Sequence, residues 1–526
     1  MNRRHKHSKL FSIVAAFGML LAACSPAASP TATPTAAPTK PAAAATTAPA
    51  PAGTTAPAAT SAPAATPAAA ATSAAGSTPA AAATSAPAAT SAPAAATKPS
   101  VPAAAPATGG GPGSPVDQVK ITAPVEITFW HTQTGPLADA LNKLIDRFNQ
   151  QNPNIKVKAE YAGNYTQTYQ KAMAAIQGGG LPNLAVAYES MVADYMKANA
   201  VVALDDYVNS AQYGLSKADQ DDLFPFAVNR NRFPQFGNKL LSFPFTTSDL
   251  NLYYNADMLK QVGVNEPPAT WDDFYNDCKL IKEKLQKQCY AVSVDASTIH
   301  GMMYSNGTTS LVDPQTLKTT YDQKPGVETF SLLERLTKEG MAYQIKPGSF
   351  DDQNDMASQK IAFMIRSSTT RAFMDDLIKG QFKWGMALIP QGKDNKEKAT
   401  TLFGANVAVF KSTPEKQLAS WLFIKWFTST DITSEWGAVG GYTPVRKSGA
   451  NVDPYKSYLA KNPEINKVAL DNMQYARPEP NIVGYQDART VIEDAETAVL
   501  AGKLTGDAAA KQVKTQIDKI LQEKNS

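Results

Sequence analysis

The sequence predicts an α/β fold of two lobes, carried behind an export signal and a long tether. Three observations point there. Strand-like and helix-like periodicities alternate from Val125 to Glu189, the same style returns with other spacings from Gly237 onward, and about four hundred residues with mixed aliphatics follow a segment that has almost nothing to bury.

The N-terminus is the first element. Arg3, Arg4, Lys6 and Lys9 form a basic region ahead of the apolar run "LFSIVAAFGMLL", which is too short to span a bilayer. It reads as a signal over residues 1–23. Ala22 and Ala23 stand just before Cys24 in the manner of a lipobox, so Cys24 is expected to carry lipid. Residues 24–118 are almost entirely Ala, Pro, Thr, Ser and Gly, with near-copies of "AATSAPAAT" at Ala58 and Ala82. Such a composition cannot offset its ordering entropy and reads as a tether, with a reach on the order of 50 Å.

In the folded part, "VEITFWHT" reads as a strand, followed by a helix with Pro136 in its first turn and one apolar face of Leu137, Leu141, Leu144, Ile145 and Phe148. "NIKVKAEY" alternates as a half-buried strand. Asn164 and Gln167 are spaced as a capping box for the next helix, and "NLAVAYE" is a short apolar run ending in a carboxylate. Farther on, a helix is expected from about Thr270, with strands at "CYAVSV", "KIAFMI", "FKWGMALIP" and "ANVAVF" and helical patterns beyond Asp453. The chain is expected to cross between the lobes more than once.

Composition excludes some functions. The net charge of +4 includes four basic residues of the signal, so the mature chain is near neutral and offers no nucleic-acid surface. Only His131 and His300 remain beyond the signal, too few for a metal cluster or a histidine triad; no metal and no cofactor are expected. A helix carrying Cys278 and a strand beginning at Cys289 would hold the two thiols apart, which argues against a disulfide.

Ligands of open α/β sheets sit beyond the carboxyl ends of strands, near helix N-termini. Tyr165, Glu189, Ser248, Ser367, Ser368, Gly404, Tyr442 and Arg489 fall at such places. Each also has a plain structural reading: Arg489 and Glu493 as a solvated pair, Ser367 or Ser368 as a helix cap, Tyr442 as a turn residue.

The stretches "GNYTQTYQKAMAAI", "AYES", "PFTTSDLNLYYNADMLKQVG", "PATWDDF", "FGANVAVFK" and "GGYTPVRKS" resemble the extracellular solute-binding proteins of ABC importers for sugars and polyols, nearest to the glycerol-3-phosphate-binding branch. The resemblance spans about Val125 to Leu521. It implies a bilobed periplasmic-binding-protein fold of type II with a multi-strand hinge, the lobes being residues 119–246 with 400–441 and residues 247–399 with 442–526. It also implies a non-enzymatic, monomeric protein that is lipid-anchored outside the cytoplasmic membrane and has a small-molecule ligand and ABC permease partners. The branch's ligand contacts fall on Tyr165, Glu189, Ser248, Ser367, Gly404, Tyr442 and Arg489, with Arg489 offered to a phosphate. Where the branch packs a tryptophan on the glycerol, this chain has Val294 or a neighbour, which leaves room for glycerophosphocholine or an oligosaccharide. An exported glycosidase or phosphodiesterase is the rival reading.

Overall fold

The computed structural model describes residues 114–526. The signal, Cys24 and most of the tether lie outside them.

The first lobe begins with β1 (Val125–His131), α1 (Gly135–Gln151), β2 (Ile155–Tyr161), α2 (Tyr165–Gly178), β3 (Leu184–Ala187) and α3 (Glu189–Lys197). The strands β2, β1 and β3 are parallel neighbours, joined through α1 and α2 as β-α-β units. α1 lays Leu141, Leu144, Ile145 and Phe148 on the sheet, and Asn164 and Gln167 close their capping box at the start of α2. The strand Asn406–Val409 then adds antiparallel to β3, and Phe243–Pro244 adds to it in turn. Aromatic packing fills the interior: Phe245 stacks on Phe427 at 4.0 Å between ring centres, and Phe148 meets Phe423 edge-on at 5.2 Å. Trp421 is wholly buried here, with its indole N–H donating to the Tyr213 carbonyl at 3.0 Å.

The second lobe is built on a seven-stranded sheet around Ser248–Asn255, which pairs antiparallel with Phe363–Ser367, Trp384–Leu388 and Thr400–Phe403. Tyr290–Val292 and Ala342–Gln344 continue the sheet in parallel. Thr400–Phe403 thus belongs to the second lobe, four residues beyond the crossing expected from sequence. The chain just after 441 stays with the first lobe, where Val445 joins the core and Phe224 N–H donates to its carbonyl, and from Ile465 onward it packs in the second. Crossing strands carry the same alternation as their neighbours, so pattern alone does not mark where they change sheets.

Three segments make the hinge. Thr246 N–H donates to the Ala405 carbonyl at 3.0 Å, and Thr443 N–H donates to the Thr247 carbonyl at 2.8 Å. Beside them Asp249 is fully buried, and neither of its carboxyl oxygens has a hydrogen-bond partner among the described residues. Burial pushes its acid up to about 7.

Cys278 and Cys289 form a disulfide, contrary to the sequence expectation. Cys278 lies in the middle of the helix Trp271–Leu285, but Gln286 adopts a left-handed conformation at the helix end and turns the chain back along it. The return brings the two Cα atoms to 5.0 Å, inside the range a bridge requires. Eleven residues of separation do not set a distance once the chain reverses.

Replacing both cysteines by serine lowers the free energy of unfolding by about 2–3 kcal/mol, the chain-entropy value for so short a loop, read from denaturant midpoints with and without the bridge. Asp249 holds its proton to about pH 7 when folded, against an ordinary 3.8. The folded state therefore binds more protons across that window, and stability falls as pH rises through it. Asp249→Asn should flatten that fall and stabilise the protein at pH 8 relative to pH 5 in chemical denaturation.

Candidate functional site

A cavity of about 220 Å³ opens between the lobes at the hinge. Tyr165 and Tyr188 come from the first lobe, Ser248 and Gly404 from the crossing segments, and Ser293, Asp295, Arg366 and Ser367 from the second. Tyr442 closes one side, its ring stacked on Trp436 at 5.7 Å and its hydroxyl accepting from Gln133 Nε2 at 3.4 Å. Tyr165 and Tyr188 stack on each other with ring centres 4.3 Å apart, forming an aromatic wall. Burial raises both phenols, so they remain neutral.

The hydroxyl side is equally ordered. Ser367 Oγ donates to Ser248 Oγ at 3.1 Å and accepts from Thr369 Oγ1 at 3.0 Å. Thr369 and Thr370 line the cavity where the chain enters the helix Arg371–Ile378. Ser368 points elsewhere and accepts from Asp249 N–H at 3.2 Å. Of the two serines, Ser367 faces the cavity. Gly404 must be glycine: its φ is +105°, and a Cβ there would lie 2.4 Å from the Thr246 carbonyl oxygen.

The sequence singled out seven positions, and five of them, Tyr165, Ser248, Ser367, Gly404 and Tyr442, meet on this cavity. Glu189 and Arg489 lie behind it. Glu189 opens α3 and is 4% exposed, with Arg230 Nε 3.2 Å from its carboxylate. Burial raises the Glu189 acid, and Arg230 opposes the rise. Arg489 is 5% exposed, which rules out the solvated-pair reading. Its Nη2 donates to Asp295 Oδ1 at 3.0 Å, its Nη1 donates to Ser297 Oγ at 2.9 Å and to Glu479, and Glu493 stands 4.0 Å away. The guanidinium lies 5.0 Å from the centre of the Tyr188 ring, across the lobe boundary.

Sequence reasoning missed several residues. At the place expected for Val294 or a neighbour, the neighbours Ser293 and Asp295 face the cavity, the carboxylate unforeseen, and Val294 packs against the second-lobe core. Arg366, just beyond the expected strand "KIAFMI", is another. It lines the cavity with Nε and Nη2 held bidentate by Asp352 at 2.6 Å each. Its position immediately before Ser367 was the available signal. Arg230 gave no signal, since its partner Glu189 is distant in sequence, and nothing local marked Glu479 as turning toward Arg489 on the next helix. Among the described residues no cluster of three or more His, Cys, Asp or Glu is arranged to hold a metal. No described helix is long and apolar enough to cross a membrane.

A family model described as bacterial extracellular solute-binding protein matches residues 143–464, more than half of the chain. The sn-glycerol-3-phosphate-binding periplasmic protein UgpB of Yersinia enterocolitica is 25% identical over 427 residues, covering 76% of this chain and 93% of that protein. Among solved structures, UgpB of Mycobacterium tuberculosis in complex with glycerophosphocholine superposes with a TM-score of 0.67 at 22% identity, covering 76% of this chain and all (100%) of that one. The GacH receptor of Streptomyces glaucescens, solved unliganded and with acarbose, gives 0.66 at 22% identity, covering 76% and 98%. These two share the bilobed fold described above. The chain belongs to the bacterial extracellular solute-binding proteins, the extracytoplasmic solute-binding components of the ABC-importer type.

Proposed function

We propose that the protein captures a glycerol phosphate-class solute, glycerol-3-phosphate or a glycerophosphodiester such as glycerophosphocholine, between its lobes and delivers it to an ABC permease. The observation that carries this reading is the convergence of Tyr165, Ser248, Ser367, Gly404 and Tyr442 on one interlobe cavity. Its volume, about 220 Å³, is below the ~300–1,000 Å³ common for drug-sized ligands and suits a small polar solute. Hydroxyls of Tyr165, Ser248 and Ser367 on the cavity wall, with the start of α2 beside Tyr165, offer donors to an anion.

The work of the site is binding and orientation. A ligand touching Tyr165 and Tyr188 on one side and Ser293 and Ser367 on the other stabilises the closed arrangement of the lobes, and that arrangement is what a permease reads. Cys24, when lipidated, keeps the monomer at the outer membrane face, and the tether gives it reach. A second reading, an oligosaccharide cargo, draws on the aromatic wall and on Arg489 being held by carboxylates within the protein.

Titration calorimetry on the full-length protein with glycerophosphocholine and maltose separates these readings. Micromolar or tighter binding of glycerophosphocholine, weakened about tenfold or more by Ser367→Ala, is expected; binding of maltose alone would move the cargo to the sugars. Cys24→Ala should release the protein from the cell envelope into the soluble fraction, and retention there would refute the anchor.

A further inference from the structure

Three arginines surround the cavity, and every one meets carboxylates of the protein itself. Arg366 is clamped by Asp352, Arg230 by Glu189, and Arg489 by Asp295 and Glu479. Three guanidiniums therefore face four carboxylates before any ligand arrives. Asp295 matters most, because it lies on the cavity wall and its carboxylate caps the Nη2 that an incoming phosphate would need. It is fixed there twice over, since it also caps the helix Ala296–Ser305 by accepting from Ser297 N–H at 3.1 Å.

Glu479 takes Nη1, and the far side of its carboxylate stands 3.4 Å from His300 Nδ1. Burial alone would raise the Glu479 acid, but Arg489 and His300 outweigh it and hold the group well below the usual carboxylate range. On Arg489's own helix Glu493 also faces it, pushed up to about 7 by burial. Both terminal nitrogens of the guanidinium are thus engaged by the protein itself, in competition with the fork-on-fork grip that arginine gives a phosphate dianion.

We infer that Asp295 and Glu479 are specificity-determining residues that neutralise Arg489 from within, so that the cavity selects phosphodiesters over phosphomonoesters. The inference rests on the glycerol phosphate reading and narrows it. A diester brings one negative charge, which the linked neutral hydroxyls of Thr369, Ser367 and Ser248 can hold. A monoester brings nearly two at pH 8 and meets Asp295 at close range. A cationic head group on the diester would gain from Asp295 and from the aromatic ring of Tyr165.

The test is calorimetry at pH 8 on full-length wild type, Asp295→Asn and Glu479→Gln, with glycerol-3-phosphate, glycerophosphocholine and maltose as probes and thermal melting to confirm folding. Wild type should prefer glycerophosphocholine by about tenfold or more, and each folded variant should shift the diester-to-monoester ratio toward the monoester by about tenfold. A residue acting only in packing would weaken all probes together and leave the ratio alone. A wild-type preference for the monoester, or a ratio unchanged in the folded variants, overturns the inference. Should wild type bind maltose and neither ester, the cargo reading fails separately; Asp295→Asn gaining glycerol-3-phosphate would still support the neutralising role, and no gain would end it. Asp295→Asn retains an N-cap side chain, so the test survives a misfolded Glu479→Gln.

Discussion

The buried guanidinium of Arg230 is the constraint on which the site depends. Its Nη2 donates to the Thr246 carbonyl at 3.2 Å and its Nη1 to the Phe403 carbonyl at 3.3 Å, so one side chain from the first lobe grips two of the segments that cross between lobes. The third contact is the ion pair with Glu189 at the start of α3. At 4% exposure this arginine is costly to desolvate, and only the combination of two carbonyls and a carboxylate makes the position tolerable. Removing either partner would strand a charge at the base of the cavity. The pair therefore specifies how α3, Gly404 and the hinge sit against one another.

On that base the two lobes present different chemistry. The first contributes aromatic rings, with Tyr188 stacked on Tyr165 and also meeting the Arg489 guanidinium. The second contributes hydroxyls and charge from the ends of its strands. Its framework is braced by the Cys278–Cys289 bridge, which ties a helix to the residue just before Tyr290–Val292 and so anchors the strand that leads to Ser293 and Asp295. Further bonds cross the boundary away from the cavity: Gly484 N–H donates to Asp194 at 2.8 Å, and Ser190 Oγ donates to Gln486 at 3.1 Å. Closure is thus supported by protein–protein contacts as well as by whatever fills the cavity, and the ligand has only to tip an equilibrium.

Much of this was legible in the sequence, because periodicity is a local property. The alternation in "VEITFWHT", the face of α1 and the capping box at Asn164 all appear in the structure, since each depends on residues within a few positions. The bilobed fold was also legible through its motifs. Gly404 and Tyr165 could be marked as site candidates from strand ends and helix starts alone.

Tertiary structure alone decided the pairings. Cys278 and Cys289 meet because Gln286 reverses the chain, and Arg489 is neutralised because Asp295 and Glu479 approach from separate segments. The sheet to which Thr400–Phe403 belongs is set by hydrogen bonds to Ser248 and Asp249, far back in the chain. Side-chain period and capping depend on near neighbours, so the sequence by itself determined where strands, helices and candidate polar groups lie. The charge a cavity offers is a sum over groups remote in sequence and close in space, and Coulombic and desolvation energies respond only to those distances.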